Sequence, residues 1–383
     1  MKKKQNERKK NGASGVLMIL FSILVGAFCG IQITSFLDHA QFRSGGGEIL
    51  AFLVLILGMY LMMYLQIIVH EGGHLIFGLL SGYSFASFRV GSLMLMKTEK
   101  GICLKRFRLL GTGGQCLMVP PALKNGTMPV TLYNLGGVIL NLAASLVLGL
   151  LSMLWPGSAA AALLRIGTVI GVMFALLNGV PFRMGAVNND GSNVCAMRKD
   201  PEAVRALWMQ LTVNEQSRRG VRLRDMPEAW FCLPQDADMN NSLICSSAVF
   251  AENRLLDQRR FADADAAAQA LLDGNNALPG VYRGMLLCDR IFLAVLRGAD
   301  PSAFLTRDQE RFMKRMKDFP SVVRTQAALA LRAGDLQRAE ALCARLEALA
   351  ASYPNPSDIE SERELIRMLF AQEAERRPAP SAV

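Results

Sequence analysis

Charged side chains are scarce. Asp, Glu, Lys and Arg make up 19% of the 383 residues, against 51% apolar ones. That balance excludes a disordered chain and argues against an ordinary soluble enzyme. Histidine is scarcer still: His39, His70 and His74 are the whole supply, so an imidazole-rich metal site has to draw on the last two. The eight cysteines (Cys29, Cys103, Cys116, Cys195, Cys232, Cys245, Cys288 and Cys343) include no Cys-x-x-Cys pair. This excludes a zinc knuckle and a thioredoxin-type motif, and scattered thiols suit a reducing compartment better than a disulfide framework. No small-x-small cleavage site follows the first apolar run, and Phe28 precedes Cys29. Neither a cleaved signal peptide nor a lipoprotein site is therefore expected.

What the chain has instead is long apolar runs. Four are predicted to span a membrane, at about 16–36, 49–80, 130–155 and 159–182, each meeting the roughly 20 residues that a spanning helix needs. The second, at about 32 residues, would reach nearly 50 Å as a helix and must tilt, kink or project beyond the lipid. Orientation follows from the basic residues. Lys2, Lys3, Lys4, Arg8, Lys9 and Lys10 in the N-terminal segment 1–12, the loop carrying Arg89, Lys97, Lys100, Lys105, Arg106, Arg108 and Lys124, and the region opening at Arg183 all fall on one side if there are four spans. Both termini are thus expected in the cytoplasm of a cell carrying the protein in its plasma membrane. The formal net charge of +10 lies beside the apolar segments, and residues 183–383 balance, which argues against a nucleic-acid partner.

Between the second and third runs, 84–110 alternates loosely around a turn at Thr98-Glu99-Lys100-Gly101, which predicts a membrane-associated β-hairpin within a region 84–120. Gln115–Val119, bracketed by Gly113-Gly114 and Pro120-Pro121, reads as an edge strand or a re-entrant segment. Residues 196–241 read as a linker, and 371–383 as a solvated tail. From 242 to 370 the chain is rich in Ala, Leu, Arg and Glu at helical spacing. Similar junctions at 259–264 and 333–339, with a weaker one near 298–300, suggest tetratricopeptide-like helical hairpins. The predicted fold is mainly α: a polytopic helical core (13–195), a small β-hairpin and a C-terminal helical cytoplasmic domain.

His70-Glu71-Gly72-Gly73-His74 carries the chemistry. On a helix, positions i and i+4 share a face, so both imidazoles can ligate one metal while Glu71 accepts a proton from an attacking water. With three histidines in the chain, chance would produce this HExxH in roughly one sequence in a thousand. Two His and a Glu in an apolar helix also cost free energy in lipid unless they face a cavity and serve a purpose. A catalytic zinc takes three protein ligands and keeps one position open, so the third must be a carboxylate or a thiolate. Asp190, just beyond the fourth run, is the first candidate; Cys195 and Asp200 are weaker ones. An Asp-Gly pair is also an ordinary turn.

These motifs together resemble the site-2 protease family of intramembrane zinc metalloproteases. The resemblance rests on HExxH in a membrane helix (His70–His74), Gly-x-x-x-Asn in a later one (Gly137–Asn141), Asn-x-x-Pro (Asn178–Pro181) and Asp190-Gly191, and covers about residues 48–195. It implies Zn2+ held by His70, His74 and Asp190, with Glu71 as the catalytic base. It also implies a glycine-rich strand, matched by Gly113-Gly114-Gln115, that pairs with an unwound substrate. Gly114 and Gln115 are then candidate substrate-binding residues; Asn141 and Asn178 are candidate oxyanion donors, with a buried Asn that bonds between helices as the equal alternative for either. Val138 stands where the family usually has Pro, and Asp190 comes nine positions after Pro181, a few more than usual. The expected substrates are membrane proteins or peptides, with the bilayer and a cytoplasmic protein bound by the C-terminal domain as further partners. The alternatives are a catalytically inactive zinc-binding scaffold and a cation transporter. Intact Glu71 argues against the first, and the near absence of other ionisable residues in the spans against the second.

Overall fold

The computed structural model describes residues 19, 22–38, 45–99, 101–107, 112–181, 183–184 and 187–376. His39, the basic N-terminal segment and the last seven residues lie outside them. The chain divides into two compact units, Met1–Gly91 with Gly113–Pro121 and Met128–Lys199, and Ser92–Thr112 with Ala122–Thr127 and Asp200–Val383.

The first unit is built on α1 (Ser22–Asp38), α2 (Gly45–Leu80), α3 (Thr131–Leu151) and α4 (Ala159–Gly179). Where the sequence predicts four spans, three described helices, α2, α3 and α4, are long and apolar enough to cross a membrane. α1, described over 17 residues, is a shorter apolar helix, and the start of the predicted first run lies outside the described residues. α2 is one continuous helix of 36 residues, about 54 Å at 1.5 Å per residue, so it exceeds a hydrocarbon core of about 30 Å. Along these helices Leu57, Leu61, Leu146, Leu150 and Leu176 face outward, as a lipid-facing surface requires. Inward, Cys29 and Ile33 of α1 pack with Leu55 of α2 and Ala162, Ile166 and Ile170 of α4.

Helices in an apolar solvent gain little from burying leucine, so they associate where small residues let backbones touch. α2 and α3 cross at Gly73 and Gly136, and a Cβ on either would overlap the other's carbonyl. Ser158 Oγ accepts from Ala161 N (3.1 Å) and starts α4; Gly179 and Pro181 end it.

The predicted hairpin is two pairs of strands. In the first unit, β1 (Ser84–Val90) pairs antiparallel with a strand further along the chain, Gly114–Val119. In the second unit, β2 (Leu93–Thr98) and β3 (Gly101–Arg106) pair antiparallel about the turn expected from sequence. The single run expected at 84–98 breaks at Gly91, whose φ of +60° suits glycine best. Gly114–Val119 is therefore β4, a strand and not a re-entrant segment, with β1 its sole described neighbour.

After a short β5–β6 pair (Arg183–Met184 and Val187–Asn188), α5 (Asp190–Lys199) closes the first unit. The second unit is otherwise helical: α6 (Pro201–Arg218), α7 (Ser242–Asp257), α8 (Phe261–Asp273), α9 (Gly280–Leu296), α10 (Arg307–Arg315), α11 (Pro320–Arg332), α12 (Leu336–Ala350) and α13 (Pro356–Arg376). The predicted linker is largely helix. α6 buries Ala203, Val204, Leu207, Met209 and Val213, so the helical unit begins at Asp200, whose side chain caps α6 by accepting from Glu202 N (2.9 Å). The tail also starts later than predicted, because α13 runs to Arg376. The junctions at 259–264 and 333–339 join α7 to α8 and α11 to α12, which pack as antiparallel pairs around Ala264, Phe292, Leu293, Ala328 and Ala339.

Candidate metal centre

His70 and His74 lie one turn apart on α2, about 15 Å and 9 Å from its Leu80 end at the helical rise. Asp190 is the first residue of α5. The fold brings the three together: one ligand atom from each lies within 4.8 Å of the others. His70 Nε2 and His74 Nε2 are 3.2 Å apart, and Asp190 Oδ2 stands 3.3 Å from the first and 3.5 Å from the second. Both imidazoles are buried and the aspartate half-buried.

The outer nitrogens explain why the inner ones converge. His74 Nδ1 lies 2.8 Å from the carbonyl oxygen of Tyr133. A carbonyl only accepts, so Nδ1 carries the hydrogen. His70 Nδ1 lies 2.8 Å from Asn141 Oδ1, and the Asn141 amide is oriented by its other side, where Nδ2 donates to Gln66 O (3.0 Å) and Gln66 Oε1 (2.7 Å). His70 Nδ1 is therefore a donor too. In the neutral imidazoles both Nε2 atoms are lone pairs, and they face each other and a carboxylate oxygen that has no hydrogen-bond partner. Burial raises the Asp190 carboxyl, and hydrogen bonds and charge from imidazoles protonated at Nε2 pull it down to about 2; with neutral imidazoles a cation between the three groups would have to hold the same oxygen anionic. Three converging lone pairs call for positive charge between them, supplied by protons or by a metal ion. Two imidazole nitrogens and one carboxylate oxygen are a donor set that fits zinc.

Asp190 is set by its neighbours. Asn189 Nδ2 donates to Leu177 O (2.8 Å) and Val180 O (2.6 Å), carbonyls at the end of α4. Its Oδ1 accepts from Ser192 N (2.9 Å) and caps α5. A Cβ on Gly191 would overlap the Gly179 carbonyl, so α5 begins against the end of α4.

Glu71 is buried beside β4. A Cβ on Gly114 would stand 2.5 Å from Glu71 Oε1, so glycine makes room for the carboxylate. Gly114 is held in turn by Arg89, which donates to Gly91 O (2.7 Å) and Gly114 O (3.2 Å). The sequence places Arg89 among the loop cations at the membrane surface; it is instead 1% exposed. Gln115, opposite Arg89 in register, is half-buried. Tyr133 spans the site: its carbonyl accepts from His74, its hydroxyl donates to Cys116 O on β4 (3.2 Å), and its ring stacks on Tyr83 at 4.6 Å. Gly137 lies under His70, where a Cβ would be 2.5 Å from the imidazole.

The two candidate oxyanion donors are placed otherwise. Asn141 is fully buried and both its amide hydrogens go to Gln66, leaving none for a substrate. Asn178 Nδ2 donates to Phe174 O one turn back in its own helix (2.9 Å). Cys195 is exposed on α5 and Asp200 caps α6; neither joins the group. Sequence reasoning missed Gln66, Tyr133 and Asn189. Gln66 had a signal, a lone polar residue in an apolar run one turn before His70. Tyr133 had none, because it acts through its backbone carbonyl. No protein-family profile, curated protein or solved structure matches the chain.

Proposed function

We propose that the protein is an intramembrane zinc metalloprotease of the site-2 type, hydrolysing peptide bonds of membrane-embedded or membrane-proximal substrates. The observation that carries this reading is the convergence of His70 Nε2, His74 Nε2 and Asp190 Oδ2 on one point, with the Glu71 carboxylate of the same helix against Gly114 of β4, an edge strand among the described residues. His70, His74 and Asp190 hold the metal. A zinc ion there supplies Lewis-acid polarisation of a carbonyl and acidifies a water near neutral pH. Glu71 takes a proton from the attacking water on its carboxylate and returns it to the leaving amine. β4 has β1 as its sole neighbour among the described residues, so a substrate segment opened from its helix can add as a strand on the other side and hold its scissile bond extended. The surrounding helices keep the site apart from bulk lipid. The basic flanks support a cytoplasmic position for both termini and the site. The second unit's paired helices, in a tetratricopeptide-like arrangement, suit recruitment of a cytoplasmic protein partner.

The test compares wild type, Glu71→Gln and His74→Ala in detergent. Each is presented with single-span fusion proteins whose apolar segments carry helix-breaking residues, and bound metal is measured alongside. Wild type is expected to cleave. Glu71→Gln should retain zinc without cleaving, and His74→Ala should lose both. Undiminished cleavage by Glu71→Gln would remove the assigned base and the reading with it.

A further inference from the structure

We propose that Gln66 is a positioning residue of the metal centre that sets the tautomer of His70 through Asn141, an inference that rests on His70, His74 and Asp190 being metal ligands.

The groups run in one direction across three helices. The carbonyl of Gly167 on α4 can only accept, and Gln66 Nε2 on α2 donates to it (2.9 Å). That turns Gln66 Oε1 toward α3, where it accepts from Asn141 Nδ2 (2.7 Å). The Asn141 amide then presents Oδ1 to His70 Nδ1 (2.8 Å). A ring nitrogen facing an acceptor keeps its hydrogen, so Nε2 is left bare toward the metal. Reversing any one amide would set donor against donor or acceptor against acceptor at the next step. A reversed Asn141 would turn an N–H toward His70 Nδ1, move the imidazole hydrogen to Nε2 and block ligation.

The surroundings enforce this order. Gln66 is 2% exposed and Asn141 fully buried. α4 makes room at Gly171, where a Cβ would overlap Ser145 Oγ of α3 and stand 2.5 Å from Gln66 Nε2. On the far side Gly167 meets Met62 and Leu148, so the polar groups end against apolar side chains. Asn141 has a second tie, to the Gln66 backbone carbonyl, which makes the side-chain contribution graded and not all-or-none.

The experiment measures Zn2+ and Co2+ dissociation constants of the full chain in detergent for wild type, Gln66→Met, Asn141→Ala and the double variant. Imidazole 15N shifts of the metal-free proteins are recorded in parallel; three histidines make the spectrum tractable. Gln66→Met is expected to bind about 10- to 100-fold more weakly and to show a mixture of tautomers at His70 where wild type shows a protonated Nδ1. In the Asn141→Ala background Gln66→Met should add nothing. Gly171→Ala, which presses on Ser145 and on Gln66 from α4, should reproduce the loss and, like Gln66→Met, add nothing in the Asn141→Ala background, and so covers the case in which Gln66→Met fails to fold. Unchanged affinity and tautomer in Gln66→Met, or the same loss with and without Asn141, would overturn the role of Gln66 and leave the metal centre standing. A wild type that holds no more zinc than His74→Ala would overturn the metal centre and this inference together.

Discussion

Gly73 and Gly136 bring α2 and α3 into backbone contact, leaving no room for a Cβ on either. The crossing lies one turn from both His70 and Tyr133, so it sets how far the His74 imidazole stands from the Tyr133 carbonyl. Gly73→Ala, although it leaves every ligand in place, is expected to push the helices apart. The loss should be about 1–3 kcal/mol of stability, as for overpacking a close-packed core, together with weaker zinc retention. Thermal unfolding in detergent and metal analysis of the same sample check both.

Gly114→Ala probes the base separately from the metal. The added methyl would stand 2.5 Å from Glu71 Oε1 and must displace the carboxylate. Positioned proton transfer is worth about 10²–10⁴ in rate, so cleavage should fall at least about a hundredfold while metal content stays that of wild type. Loss of zinc instead would mean that β4 supports the metal ligands.

Asp190 and Asn189 separate a ligand from its support. Asp190→Asn removes the anionic donor and should release most of the zinc on dialysis. Asn189→Ala keeps the carboxylate but frees α5 from Leu177 O and Val180 O, and is expected to weaken zinc by about 10- to 100-fold, the usual effect of removing support for a ligand. If Asn189→Ala binds zinc as wild type does, the placement of Asp190 is held by the Gly191–Gly179 contact alone.

The second unit should show a pH dependence of its own. Arg324 on α11 is fully buried and pairs with Asp289 on α9 and with Glu362 on α13 (2.9 Å). Burial nevertheless pushes the Glu362 carboxyl up to about 7, from about 4.3 in an unfolded chain. The folded state holds that proton over a range where the unfolded state has released it. The contribution to stability is therefore greatest below about pH 4.3 and is lost as pH rises toward 7. Hydrogen exchange of α11 and α13 in the full chain, corrected for intrinsic rates, should show opening increase over this range, and the increase should shrink in Glu362→Gln. An identical profile in the variant would assign the titration to other groups.

Several features were legible because they are properties of a segment. The apolar runs give three long helices because about 20 apolar residues have few other stable forms in lipid. The turn at 98–101 joins β2 to β3, and His70 and His74 share a face because any helix puts i and i+4 together. The break at Gly91, the pairing of β4 with β1 and the helical character of 200–241 were hidden, since each depends on a partner distant in sequence.

The sequence by itself determined the long apolar helices, the two imidazoles on one face and the carboxylate one residue after the first, all within a few residues of chain. Tertiary structure alone brought Asp190 beside His70 and His74, turned Asn141 Oδ1 toward His70 and its amide hydrogens toward Gln66, and set Tyr133 and Asn189 against the same group. The physical reason is that the convergence of these side chains and the orientation of their amides are fixed by atoms about 3 Å apart in space, and those atoms come from helices separated by dozens of residues.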